Sequence, residues 1–136
     1  MTEKVLEFLM ECPHLEGAAF NVNYLDGKPL ACSVSPTGDR PVIKRYADGG
    51  SLCSAAFRVL IRQGYSSARG GNAVACRLCE NVEQWVKDMD RQGRLPLTKD
   101  GIQPLSLEVT KGFALEKTAS VDGVFGAEVR LVYAED

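Results

Sequence analysis

Residues 72–92 constrain this chain more than any other stretch. Ala75, Leu78, Cys79, Val82, Trp85, Val86 and Met89 recur at steps of three and four, which places them on one stripe of a 3.6-residue helix. Arg77, Glu80, Glu83, Gln84, Lys87, Asp88 and Asp90 fill the other side and read as a solvated face. Asn72 offers a capping oxygen at the start, and Gly93 reaches positive φ at the stop. The only tryptophan, Trp85, stands mid-stripe. Such a helix must lay its apolar side on something, and the flanking segments read as strands.

Residues 3–12 predict a first helix, with Val5, Phe8, Leu9 and Cys12 on one face and Pro13 as its stop. Phe20, Val22 and Tyr24 then alternate with Asn21 and Asn23, the period of a half-buried strand. Asp26-Gly27 tolerates the φ a tight turn needs, so Leu30, Cys32 and Val34 are expected to pair back as a hairpin. Between 35 and 50 the alternation stops, and Pro36, Gly38, Pro41, Gly49 and Gly50 read as a long loop. Within it, Val42-Ile43-Lys44-Arg45-Tyr46 is either an edge strand or loop lying on the sheet with wet basic tips, or an interaction surface.

Residues 52–62 give the longest strand. Cys53, Ala55, Phe57, Val59 and Ile61 line one face; Arg58 and Arg62 belong to the other, with Leu52, Ala56 and Leu60 between them. Apolar character on both faces marks a central strand, or one whose second side meets a neighbouring subunit. After the helix, Leu105, Leu107 and Val109 alternate, and Phe113 and Leu115 continue past a bulge expected at Gly112. Asp122-Gly123 reads as a turn into a final strand with Ala127, Val129, Leu131 and Tyr133 on one face. The order α-β-β-β-α-β-β predicts a two-layer α+β domain: an antiparallel or mixed sheet of about five strands, two helices on one face. A chain of 136 residues fits one domain, 1–136.

The formal net charge of −2 gives no electrostatic basis for nucleic-acid or membrane-surface binding. No apolar run is long enough for a membrane span, and the acid-bearing start reads as a helix and not a signal peptide. Five cysteines, an odd number in a chain able to build its own core, predict reduced and mostly buried thiols in a cytoplasmic setting. Cys76 and Cys79 form a CxxC, but no second CxxC and no histidine pair completes a zinc site. Cys79 also belongs to the apolar stripe, which favours packing over redox work. The single histidine, His14, has no nucleophile near it in sequence. Gly70-Gly71-Asn72 lacks the residues of a phosphate-binding loop. No catalytic residue, cofactor or metal is therefore expected.

Ile43-Lys44-Arg45-Tyr46-Ala47-Asp48-Gly49-Gly50, taken with Phe20-Asn21-Val22-Asn23-Tyr24-Leu25, Val82-Glu83-Gln84-Trp85-Val86 and Val129-Arg130-Leu131-Val132-Tyr133, resembles a known family. It is similar to minor capsid proteins of tailed bacteriophages and prophages of Gram-positive bacteria, some of which carry the label "chloramphenicol resistance protein". The element order is also similar to tail terminators, which cap the tail tube as rings, typically hexamers. The resemblance implies a structural virion protein, a tail terminator or head–tail connector. It implies a self-assembling ring whose partners are the tail tube and head-connector proteins, found in the virion and in the host cytoplasm during assembly. Two different patches per subunit make such a ring. Lys44, Arg45, Tyr46, Arg58 and Arg62 are the expected interface residues. The alternatives are a small cytoplasmic enzyme or redox protein using Cys76 and Cys79, and an adaptor binding an extended peptide along a sheet edge.

Overall fold

The structure, a computed structural model, describes residues 1–64, 69–96, 101–118 and 121–136, with the backbone alone at 69–72. In chain order the elements are α1 (Thr2–Met10), β1 (Ala19–Val22), β2 (Ala31–Pro36), β3 (Val42–Arg45), β4 (Ser51–Gly64), α2 (Arg69–Arg91), β5 (Ile102–Thr118) and β6 (Asp122–Glu135), with a 3-10 turn at Pro13–Leu15. They form an α+β fold: one mixed six-stranded sheet and two helices. The strands run in the order β1-β2-β4-β6-β5, and β3 also pairs with β4.

The spine is β4 against β6, antiparallel from Ser51↔Glu135 to Gly64↔Asp122. Period-two alternation puts Cys53, Ala55, Phe57, Val59 and Ile61 beside Tyr133, Leu131, Val129, Ala127 and Phe125 on one face. All ten are buried. Val5, Phe8 and Leu9 of α1 and Val82 and Val86 of α2 close over this face in one core. The Phe8 and Trp85 rings lock the two helices together, with centroids 4.9 Å apart. Burial of large apolar side chains such as Phe57 and Leu131 contributes about 1.5–3 kcal/mol each.

The end of α2 follows the sequence reading. Gly93 takes φ +73°, its N–H donates to the Asp90 carbonyl at 3.0 Å, and the Arg94 N–H donates to Met89 at 2.9 Å. Together these bonds form a Schellman cap. The start differs. The helix is under way by Arg69, so Asn72 lies inside it and is not its cap. Gly70 and Gly71 accept helical dihedrals as readily as turn ones, so they let the helix extend backwards. Residues 65–68, between β4 and α2, lie outside the described residues.

Three further expectations change. Asp26-Gly27 does not make a hairpin, because β2 runs parallel to β1, Ala19 facing Ala31 and Val22 facing Val34. Asn23, at φ 59°, turns the chain out of β1, and the Asp26 carbonyl is held across the sheet end by Arg62 Nε at 2.8 Å. Second, residues 35–50 are not loop throughout: β2 runs to Pro36 and β3 covers Val42–Arg45, with irregular chain between them and a turn after. The Thr37 N–H donates to the Ala56 carbonyl, and the Asp39 and Pro41 carbonyls accept from Ala56 and Ser54. The chain thus follows the edge of β4 from β2 into β3. Pro and Gly erase the alternation without removing the carbonyls this pairing uses. The edge-strand reading of 42–46 therefore holds and adds the sixth strand. Third, Asp122 and Gly123 are the first residues of β6, not a turn. Asp122 is buried and accepts from Arg62, and that bond keeps it in the ladder.

Candidate interface surfaces

The side of the sheet away from the helices carries Ser54, Ala56, Arg58, Leu60 and Arg62 of β4. Its charges are mostly closed within the chain. Arg58 pairs with Glu116 of β5, whose carboxylate lies where a side chain at Gly126 would otherwise stand. Arg62 Nη1 meets Asp122 Oδ1 at 2.9 Å. Arg130 spans Ser54 Oγ at 2.8 Å and Asp39 Oδ2 at 2.9 Å. Lys111 lies 3.5 Å from Glu128. Arg58 and Arg62 are thus where the sequence placed them, but both are engaged internally. Arg62, with its Asp26 carbonyl and its side chain only 19% exposed, is the more firmly held. The Arg58 pair is surface-exposed and contributes at most about 1 kcal/mol.

Lys44, Arg45 and Tyr46 lie elsewhere. They belong to the β3–β4 hairpin, closed by the Tyr46 N–H on the Gly50 carbonyl at 2.8 Å, with Gly49 at φ +97°. Only the side of β3 facing β4 is paired. Every residue of β3 is exposed, including the apolar Val42 and Ile43. Lys44 Nζ sits 5.4 Å from the centre of the Tyr46 ring, a cation–π contact. Neither Lys44 nor Arg45 forms an ion pair among the described residues. Arg45 faces Ser51 at one end of β4, and Arg62 lies eleven positions beyond Ser51, roughly 37 Å along the strand. The structure therefore does not gather the five expected residues into one patch.

The far edge of the sheet is β5, and here the sequence reading missed two carboxylates that tie α2 to the strand. Its register slips at four places, one of them between Lys111 and Ala114, which brackets the bulge expected at Gly112. The bulge turns the Phe113 N–H to Glu83 Oε1 of α2 at 2.5 Å. A Cβ at Gly112 would lie 2.9 Å from that oxygen, so glycine makes the approach possible. The Leu107 N–H likewise donates to Asp90 Oδ1 at 2.9 Å. Glu83 and Asp90 were expected on a solvated face. Their only sequence signal is a seven-residue spacing beside the apolar stripe, which returns both to the same side of the helix.

None of the five cysteines, all among the described residues, is in a disulfide. Cys76 is exposed, whereas Cys79 is buried beside a cavity of about 350 Å³ between α2 and β5. Burial pushes the Cys79 thiol up to about 12, with nearby Cys76, Glu83 and Glu80 adding to the rise. Cys32 is pushed up to about 12 by burial and then by Cys12. Such thiols stay protonated at neutral pH and are poor nucleophiles. Among the described residues, no group of three or more His, Cys, Asp or Glu side chains is placed to hold a metal ion. No described helix is long and apolar enough to cross a membrane. Comparison with protein families and with curated proteins gives no match to this chain.

Proposed function

We propose that this protein is a structural component of a bacteriophage or prophage particle, a tail terminator or head–tail connector that acts as a ring of identical subunits. The observation that carries the reading is the β3–β4 hairpin. In a domain whose sheet-face charges are largely paired internally, the hairpin presents Lys44 and Arg45 unpaired beside exposed Ile43 and Tyr46. Apolar, aromatic and basic side chains together are the composition of a protein contact surface. The sequence resemblance also centres on this segment. Arg58 and Arg62, held by Glu116 and Asp122 farther along β4, are not part of this surface.

In the redox alternative the exposed Cys76 would attack and Cys79 would be its partner; Cys79 is instead buried in the packing between α2 and β5, where burial keeps its thiol protonated. The peptide-adaptor alternative loses part of the β5 edge, where two backbone donors are taken by Glu83 and Asp90, and is left with the short β1 and β3 edges. The test is the triple variant Lys44→Ala, Arg45→Ala, Tyr46→Ala in a phage or prophage carrying this gene. The expected outcome is a folded protein and a loss of joined heads and tails seen by electron microscopy. A normal yield of complete particles would overturn the assignment.

A further inference from the structure

Building on the ring reading, we infer that the β3–β4 hairpin of one copy seats in a groove at the end of α1 of the next copy, apolar against apolar and basic against acidic. The groove, about 430 Å³, opens where α1 gives way to the 3-10 turn and β1. Its floor includes Leu15, fully buried, and half-buried Ala18 and Phe20. Its rim carries Met10, 55% exposed, with the exposed carboxylates Glu11 and Glu16. Neither carboxylate forms an ion pair among the described residues. The hairpin offers the converse: exposed Val42 and Ile43 flanked by unpaired Lys44 and Arg45. Lys44, Arg45, Glu11 and Glu16 have no ion-pair partner among the described residues, whereas Arg58, Arg62, Lys111 and Arg130 close on carboxylates of their own chain.

Placement also fits a second copy. The hairpin turns back at the Ser51 end of β4, and the groove adjoins Ala19, which pairs through Ala31 with Arg62 at the other end. The two patches differ and lie at opposite ends of one subunit. A head-to-tail contact requires two different patches, and it closes into a ring where the rotation from one subunit to the next allows. Complementary charge steers such an encounter and fixes its register.

The test reverses each patch in turn in the full chain. Lys44→Glu with Arg45→Glu makes both patches acidic; Glu11→Lys with Glu16→Lys makes both basic. Each variant alone is expected to self-associate on the order of a hundredfold more weakly than wild type by analytical ultracentrifugation. An equimolar mixture of the two is expected to assemble again, because every hairpin then finds a groove of opposite sign. All four positions are exposed, and circular dichroism checks that the variants fold. Wild-type assemblies that persist through both reversals, or a mixture that stays dissociated, would overturn the contact, leave the ring standing and assign the hairpin to a different protein. A wild-type chain that is monomeric at every concentration would overturn contact and ring together. Restored assembly at the mass of a dimer would keep the contact and overturn the ring.

Discussion

The β5 edge of the sheet and the β3 edge, which occupies the Ser51 end of β4 beyond β2 and β1, are finished differently. On the β5 side, α2 lies over the strand and two of its carboxylates take backbone N–H groups of that strand, at Phe113 and Leu107. On the β3 side no helix side chain reaches the strand's backbone among the described residues, and the exposed residues are apolar, aromatic and basic. An edge strand carries unpaired backbone groups that invite pairing with another chain, and natural sheets blunt it or use it. Here the blunting is built into α2, at the cost of ordering two carboxylates. The β3 side is left open, and the open side is the one whose chemistry suits a protein partner.

The sharpest way to break this contrast is to remove the α2 carboxylates. Glu83→Ala with Asp90→Ala is expected to lose about 3–6 kcal/mol, taking about 1.5–3 kcal/mol for each hydrogen bond to a charged group. Urea unfolding followed by Trp85 fluorescence reads the loss. A loss under about 1 kcal/mol would mean that solvent satisfies these N–H groups equally well and the edge is not closed by α2.

Next in size is the Arg62 cluster, which ties the loop at Asp26 to β6. Asp122→Ala is expected to cost about 2 kcal/mol, since it leaves a largely buried guanidinium short of its carboxylate. If the Asp122→Ala and Arg58→Ala variants prove equally stable, the distinction between firmly held and exchangeable pairs on that face fails.

Alkaline stability probes the two sides of the sheet through Cys32 of β2 and Cys79 of α2. Cys32 and Cys79 are raised to about 12 from an ordinary 9.0. Above pH 9 the unfolded chain gives up these protons while the fold keeps them. The stabilising contribution is therefore complete below about pH 9 and is lost as pH rises toward 12. Cys32→Ala with Cys79→Ala should flatten the fall in stability over that window; an unchanged slope would contradict buried, protonated thiols. In the native protein at neutral pH, a thiol reagent should modify Cys76 and spare Cys79. Rapid labelling of Cys79 would revive the redox reading.

The smallest effect belongs to the open edge. Lys44→Ala with Arg45→Ala is expected to change stability by no more than about 0.5 kcal/mol, because neither side chain has an ion-pair partner among the described residues. A larger loss would give these residues a folding role and weaken their assignment to a partner.

What the sequence disclosed follows from which signals survive in one dimension. The apolar stripe of α2 and the alternation of β4 and β6 were legible because periodicity records which side is buried, and burial is what the core rewards. The bulge at Gly112 was legible because a glycine broke an otherwise regular strand. The parallel pairing of β1 with β2 was not, since Asp26-Gly27 marks a turn without saying where the chain goes afterwards. β3 was hidden because Pro36, Gly38 and Pro41 mask the alternation while still supplying carbonyls to β4. Glu83 and Asp90 were hidden because a carboxylate bound to a neighbouring strand looks, in sequence, like one bound to water. Of the candidate surface, the composition of 42–46 was legible; the closure of Arg58 and Arg62 on Glu116 and Asp122 depends on strand register and was not.

The proposed contact between copies at the β3–β4 hairpin is open to electron microscopy of the purified chain. Closed rings in which residues 42–46 of each subunit lie at the boundary with the next are expected. Isolated monomers, or rings in which that hairpin faces solvent, would contradict that contact.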